Sequence, residues 1–571
     1  MAERKRIKYG ALLTALCILL LMAGCGNVPR ESALPTAPVV TEAPETTEAT
    51  QPEPVWEIGY IATLELTAEY YGTDGSFLGT LVRGAEVAHT TTPDGETQIQ
   101  VNGVTARLQE GAYIVSQLGD VIPEHTLYVR SAVNLRDIEG RLLTAFAQKG
   151  AAVEVNGCDY LQEDGTPHMY RVRLGEEIGY IMPWYLADSQ EAALVNYDDN
   201  GSYEIHAGRS NRYGGGGADN LDYFPREKQP IEGNPIPEEC RTLYIASWCV
   251  EQVDAYLEIA EACEINAFVV DIADGTAVGY AGNVMQEYCP SGVGLANNTV
   301  EEYQAAIQKL KDAGYYVIGR ITTFNDTSFI KDHPECAITD TEGNPLKLAG
   351  EYWPTAYNRT AWQYKVDLAV EAVEIMGFHE IQFDYVRFPD NTWRYEDNGT
   401  IDFHNTYAET KAQAIQRFLM YATDIIHEHG AYVSADVYGE SAYNYVTAYG
   451  QYWPAISNVV DVISGMPYPD HFAAAGDWLP WENPYDTLYS WGKSAMYRQE
   501  ETATPAVIRT WIQAYNAIHE PYTTYGPEQI DAQVRALRDA GCTGGYMTWN
   551  AASSVAKYKY LQSAFALPKE D

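Results

Sequence analysis

From residue 240 onward, apolar runs of strand length alternate with stretches whose apolar positions recur every three to four residues. Eight of the runs read as buried strands: 242–248, 266–272, 315–321, 380–386, 431–437, 459–466, 506–514 and 543–550. The stretches between them carry helix punctuation. Ala369, Ala372, Val373 and Met376 share one helical face, stopped by Gly377. Thr299 with Glu302 forms a capping box ahead of Tyr303, Ile307 and Leu310, and Gly314 closes that helix. Ile415, Phe418, Leu419, Ala422 and Ile426 line another, closed by Gly430, and Pro527 opens one that bears Ile530, Val534 and Leu537 before Gly541. This alternation over 240–566 predicts an α/β fold, a C-terminal (β/α)8 TIM barrel. A doubly wound sheet is the architectural alternative.

Upstream the period changes to short β-runs separated by turns, with an internal repeat. Residues 81–87 resemble residues 148–155, and Asp94-Gly95 and Asp164-Gly165 mark hairpin turns in corresponding places. Two small all-β domains are expected, at 55–120 and 121–190. The second resembles a bacterial SH3-type barrel through Asn134-Leu135-Arg136, the Lys149-Gly150-Ala151 turn and Gly179-Tyr180-Ile181. The first is a degenerate SH3-like copy. The resemblance implies either binding of cell-wall peptide or a rigid spacer; Trp184 and Tyr185 stand near the end of the second copy, which is expected to keep a peptide-binding groove, while the first reads as a spacer. Residues 191–239 form a flexible or surface-packed linker. Its Gly214 to Gly217 run lacks the strand and helix context of a phosphate loop.

The first residues change where the protein should be found. Arg4, Lys5, Arg6 and Lys8 precede an apolar stretch from Ala11 to Met22, which ends in Leu21-Met22-Ala23-Gly24-Cys25. That arrangement resembles a bacterial lipoprotein signal peptide at 1–24, with Cys25 lipidated after cleavage. A Pro-, Thr- and Glu-rich tether at 25–54 follows. The body is therefore expected on the extracellular side of the cytoplasmic membrane, at the cell surface, and held there by lipid alone. A net charge of −42, from 37 basic and 79 acidic residues, excludes nucleic acid as a partner. Seven cysteines outside the signal and lipid positions lack metal-site spacing, and His427 and His429 point apart on their helix, so no metal and no cofactor are expected.

Candidate chemistry lies at the carboxyl ends of the barrel strands, where such barrels build their active sites. Those ends supply Trp248, Asp271 with Asp274, Arg320, Asp384 with Tyr385 and Arg387, Asp436 with Tyr438 and Glu440, Tyr468 with His471, Trp511, and Trp549 with Asn550. Carboxylates ringed by aromatic residues suit a carbohydrate, and cleavage of a glycosidic bond needs two carboxyl groups. Asp384 and Asp436, on adjacent strands, form the expected catalytic pair. Asp271 ranks third, ahead of Glu440 and Asp274, and Arg387 is expected to hold Asp384 ionised. Trp248, Tyr385, Tyr438, Glu440, Tyr468, Trp511, Trp549 and Asn550 are the expected substrate-binding residues.

The runs Phe378-His379-Glu380-Ile381-Gln382-Phe383-Asp384-Tyr385-Val386-Arg387-Phe388-Pro389, Ser434-Ala435-Asp436-Val437-Tyr438-Gly439 and Tyr546-Met547-Thr548-Trp549-Asn550 resemble a family of bacterial (β/α)8 glycoside hydrolases. The resemblance implies a polysaccharide substrate and places Asp384 and Asp436 on motif positions. The chain departs from that pattern at Phe324-Asn325-Asp326 and Ile272-Ala273-Asp274, where the family more often carries a Lys. The rival expectation is a catalytically inactive surface protein that binds glycan or cell wall.

Overall fold

The computed structural model describes residues 54–196, 202–211, 213–275 and 277–565. The expected signal peptide, Cys25 and almost all of the expected tether lie outside the described residues.

The eight strands form where the apolar runs fall. They are β1 (Cys240–Ile245), β2 (Ala267–Asp274), β3 (Tyr316–Thr322), β4 (Glu380–Asp384), β5 (Tyr432–Tyr438), β6 (Val462–Met466), β7 in two pieces (Val507–Ile508 and Thr510–Gln513) and β8 (Gly545–Trp549). Each pairs in parallel with its neighbour. The first piece of β7 pairs with β6, the second pairs with β8, and β8 pairs with β1, which closes the barrel.

Eight helices follow the strands: α1 (Val253–Glu261), α2 (Val300–Asp312), α3 (Arg359–Met376), α4 (Lys411–Glu428), α5 (Trp453–Ser457), α6 (Pro484–Glu500), α7 (Pro527–Ala540) and α8 (Val555–Leu561). The capping box of Thr299 and Glu302 is made at α2, and Gly377 and Gly541 end α3 and α7 in the left-handed conformation that favours glycine. The doubly wound alternative is thereby excluded.

The repeat seen in the sequence is a repeat in space. Each upstream domain is a sheet of seven antiparallel strands, and both have the same order, third-second-sixth-fifth-fourth-first-seventh. The strands run from Glu57–Ala62 to Tyr113–Val115 in the first copy and from His125–Val129 to Leu186–Ala187 in the second. The Asp-Gly turns fall between the fourth and fifth strands of each copy, with Gly95 and Gly165 at positive φ.

The second copy is built onto the barrel. Asp424 of α4 is fully buried and accepts from Arg136 Nη2 at 2.6 Å, Tyr185 Oη at 2.7 Å and Arg226 Nη2 at 2.6 Å. Asn134 Oδ1 accepts from Arg359 Nε at 2.8 Å, and the Arg226 guanidinium lies 4.1 Å from the Trp184 ring centroid. The Asn134-Leu135-Arg136 run and the Trp184-Tyr185 pair therefore face the barrel and the strap that follows.

That strap, the described part of 191–239, is surface-packed. Asp222 exchanges backbone hydrogen bonds with the Gln416 side chain, and Asn234 donates to the carbonyls of His379 and Gly430. Gly215 passes so close to the Thr447 carbonyl that a Cβ would stand 1.8 Å from its oxygen, and Gly216, at φ 105°, lies against Thr410. Gly215 and Gly216 serve close approach.

Two predictions concern this junction. Asp424→Asn leaves two buried guanidinium groups without their counter-charge and should cost about 3–5 kcal/mol in denaturant unfolding. His168 bridges Asp159 at 2.6 Å and Glu428 of α4 at 2.9 Å, and these carboxylates push its pKa up to about 9. Its folded pKa lies above the unfolded value of about 6.5, so its stabilisation is full below that pH and is lost as pH rises through about 9. Unfolding titrations of wild type and His168→Ala should differ in slope across this window.

Candidate active site

The site is assembled around one cation. Arg320 occupies an otherwise apolar strand, Tyr-Val-Ile-Gly-Arg-Ile-Thr, and is 1% exposed. Parallel register sets Asp271 of β2 directly beside it and Asp384 of β4 beside Thr322, so the inward-facing side chains converge. Arg320 Nη1 donates to Asp271 Oδ1 at 2.7 Å and stands 3.3 Å from Asp274 Oδ1. Its Nη2 and Nε reach Asp384 Oδ2 at 2.6 and 3.2 Å, and Nε is 3.9 Å from Asp436 Oδ2. Since both carboxylate oxygens lie that close to one nitrogen, Asp384 Oδ2 and Asp436 Oδ2 are at most roughly 7 Å apart.

The four carboxylates are not equivalent. Asp384 and Asp274 line a cleft of about 190 Å³ together with Arg320, Tyr385, Arg387, Tyr438, Met466, Tyr468, His471, Trp511 and Trp549. Asp271 and Asp436 lie beneath its floor with no exposed side-chain surface. Desolvation pushes Asp271 up to about 7 against the pull of Arg320, and Tyr244 donates a hydrogen bond to its Oδ2. Desolvation, reinforced by the Asp384 charge, holds Asp436 well above the usual carboxylate range. Asp436 Oδ1 accepts from Trp511 Nε1 at 2.8 Å, whereas its Oδ2 is buried without a hydrogen-bond partner.

Backbone geometry fixes Asp384. Tyr385 takes a left-handed conformation at φ 49°, a strained choice for a residue with a side chain. The turn brings the Tyr385 N–H to 2.6 Å from Asp384 Oδ1, so both carboxylate oxygens accept from charged or backbone donors.

The expected ion pair between Asp384 and Arg387 is replaced by the one with Arg320. Arg387 instead donates to the Phe388 carbonyl, stands 3.5 Å from Asp390, and stacks 4.4 Å from the Tyr438 ring centroid. It supports the aromatic wall. Tyr385, Tyr438, Tyr468, Trp511 and Trp549 gather in the cleft as expected. Trp248 is 46% exposed in the turn after β1 and Asn550 is buried after β8, and neither is among the lining residues. Glu440 lies outside this cleft, its two oxygens accepting from Tyr445 and Tyr449. Asp326 caps the short helix Thr327–Asp332 and pairs with buried Lys365.

The sequence places Arg320 at the third strand's end without giving it a role, and the structure makes it the centre of the site. Its signal was a charged residue inside an apolar strand, since buried arginines are almost always paired. Among the described residues no metal-binding group of three His, Cys, Asp or Glu side chains is formed, and the seven described cysteines are free thiols.

Asp271 and Asp436 have folded-state pKa values above the unfolded value of about 3.9. At these two groups the native state therefore binds more protons than the unfolded state above about pH 4, for Asp271 up to about 7, and their contribution to stability should fall as pH rises through that window. Urea unfolding at pH 5 and pH 8 should show the loss, and Asp271→Asn with Asp436→Asn should reduce it by an amount on the order of 1 kcal/mol.

A search of curated proteins gave no match. A hypothetical protein from Ruminiclostridium thermocellum ATCC 27405 is 33% identical over 34% of this chain and 97% of its own, with a TM-score of 0.29. The glycoside hydrolase domain of PgaB (BpsB) from Bordetella bronchiseptica is 14% identical over 58% of this chain and 100% of its own, at 0.41. A chitobiase from Flavobacterium johnsoniae is 10% identical over 57% of this chain and 51% of its own, at 0.33. The family model described as "Putative glycosyl hydrolase domain" matches residues 242–555, from β1 into α8 and through every residue of the Arg320 cluster, and the chain belongs to that family.

Proposed function

We propose that this protein hydrolyses glycosidic bonds of a polysaccharide with Asp384 as nucleophile and Asp436 as proton donor. The observation that carries the reading is the opposite treatment of two neighbouring carboxyl groups. Arg320 and the Tyr385 N–H donate to the two oxygens of Asp384, while burial raises the pKa of Asp436 and leaves one of its oxygens unpartnered. Environments that drive two carboxyl groups apart separate a base or nucleophile from an acid. Asp384 attacks the anomeric carbon, the C–O bond breaks, and the departing oxygen takes the Asp436 proton. Water then cleaves the glycosyl ester, with the Asp436 carboxylate accepting its proton. The bound on the oxygen separation is compatible with this retaining course.

A second assignment of the donor rests on exposure. Asp274 faces the cleft with 29% of its side chain exposed, whereas Asp436 lies under the floor. Substrates with activated aryl leaving groups separate the two, because they need no proton donor. Asp384→Asn should lose turnover of every substrate by at least about 10³-fold while keeping fold and glycan binding. Asp436→Asn should lose turnover of natural glycans by about 10²–10⁴-fold yet cleave activated aryl glycosides at near wild-type rate. The same pattern in Asp274→Asn instead assigns the proton to Asp274. Glycan binding without turnover by the wild type makes the protein a glycan-binding surface protein.

The setting belongs to the same proposal. Lipidation at Cys25 and the 25–54 tether would hold the barrel at the extracellular face of the membrane, within reach of a wall or environmental polysaccharide. The engagement of Asn134, Arg136 and Tyr185 with the barrel favours the second SH3-like copy as a rigid mount over a peptide-binding module.

A further inference from the structure

A second and larger concavity, of about 760 Å³, adjoins the cleft across Tyr438, which lines both. Its walls come from parts of the chain far apart in sequence: Tyr213 of the strap, Asp390 and Trp393 from the loop after β4, and Tyr438, Glu440 and Tyr445 at the end of β5. The Tyr213 and Trp393 rings lie 4.9 Å apart between centroids and tilt by 36°, forming one apolar surface. Across the space, Tyr445 stacks with exposed Tyr443 at 5.9 Å and 24°. The acidic groups are held in place: Asp390 accepts from Tyr438 Oη at 3.2 Å, and Glu440 accepts from Tyr445 and Tyr449.

We propose that this concavity is a distal subsite, formed jointly by the strap and the barrel, that binds further sugar units of the chain being cleaved at Asp384. The inference rests on the glycosidase reading of the cleft and adds where the rest of the polymer lies and what chemistry it carries. The volume lies within the roughly 300–1,000 Å³ of small-molecule sites and is about four times that of the cleft. Aromatic faces offer stacking to the C–H faces of sugar rings, and carboxylate oxygens accept from hydroxyl or ammonium groups. No Lys or Arg side chain is among the lining residues, while Asp390, which pairs with Arg387 of the adjoining cleft at 3.5 Å, and Glu440, which has no cationic partner among the described ion pairs, are. The subsite therefore takes neutral or amino-sugar units and rejects uronate, sulfate or phosphate esters.

The strap has a reason to be pinned. The tight passage of Gly215 and Gly216 over Thr447 and Thr410 fixes the segment that carries Tyr213, so its ring is presented against Trp393. A loose connection would spend binding free energy on ordering that wall.

The test uses the full chain and two variants, Trp393→Ala and Tyr213→Ala. Turnover of dimers and hexamers is measured for a panel of cello-, xylo-, manno-, chito- and chitosan oligosaccharides, with oligogalacturonate as the anionic member. Binding of the same hexamers is measured separately by titration into Asp384→Asn. The expected result is a loss of kcat/KM on the preferred hexamer at least about tenfold greater than on its dimer, with hexamer affinity falling in parallel. Oligogalacturonate should be neither bound nor cleaved. Equal losses on dimer and hexamer, unchanged hexamer affinity, or preference for the anionic polymer would each overturn the subsite. So would the failure of every neutral and amino-sugar hexamer to bind. If hexamers bind, Trp393→Ala weakens them and the wild type cleaves nothing, the subsite stands and the glycosidase reading falls.

Discussion

One guanidinium organises the mouth of this barrel. Arg320 is buried and touches carboxylates from β2, β4 and β5, which without it would be three or more like charges in a low-dielectric floor. A single positive charge cannot neutralise Asp271, Asp274, Asp384 and Asp436 together. Burial drives upward the pKa values of the deepest groups, Asp271 and Asp436. Burial therefore gives chemically identical side chains different surroundings, two beneath the floor and two facing the cleft. The same division gives the proposed reaction its nucleophile and its proton.

The barrel supplies this charge cluster with rigidity. Arg320, Asp271 and Asp436 stand on strands, and Asp384 is the last residue of one, so backbone pairing on both sides fixes their spacing. The left-handed turn at Tyr385 stores a small strain next to the proposed nucleophile, and the surrounding packing holds it. At the other end of β4, Glu380 and Arg509 form a second buried pair at 2.8 Å, which ties that strand to β7 where the latter is interrupted.

The upstream domains extend the same economy of charge. Asp424 gathers Arg136 and Arg226 from two separate segments, so the second small domain, the strap and α4 are locked at one buried carboxylate. That lock sets the path of the strap over α4 toward the cleft. It also explains why a run that reads as a ligand-binding signature can serve the chain's own assembly. Arg136 is satisfied within the protein, and an arginine buried with its partner has no free donor face to offer a peptide.

Strand and helix periodicity determined the eight-fold barrel, its helix caps and the position of the acidic residues at strand ends. These are local properties: apolar period, glycine conformation and capping chemistry act over a few residues, and here they agreed with the global fold. The doubling of the small β-domain was likewise legible from the repeated turns. Tertiary structure alone decided which arginine meets Asp384, because Arg387 is three residues away in sequence yet leaves by the turn at Tyr385, while Arg320 lies alongside through parallel pairing. It also decided that Trp248 and Asn550 stand apart from the cleft and that Tyr213 joins its extension. Pairing across a barrel depends on register between segments dozens of residues apart, and no local pattern encodes that register.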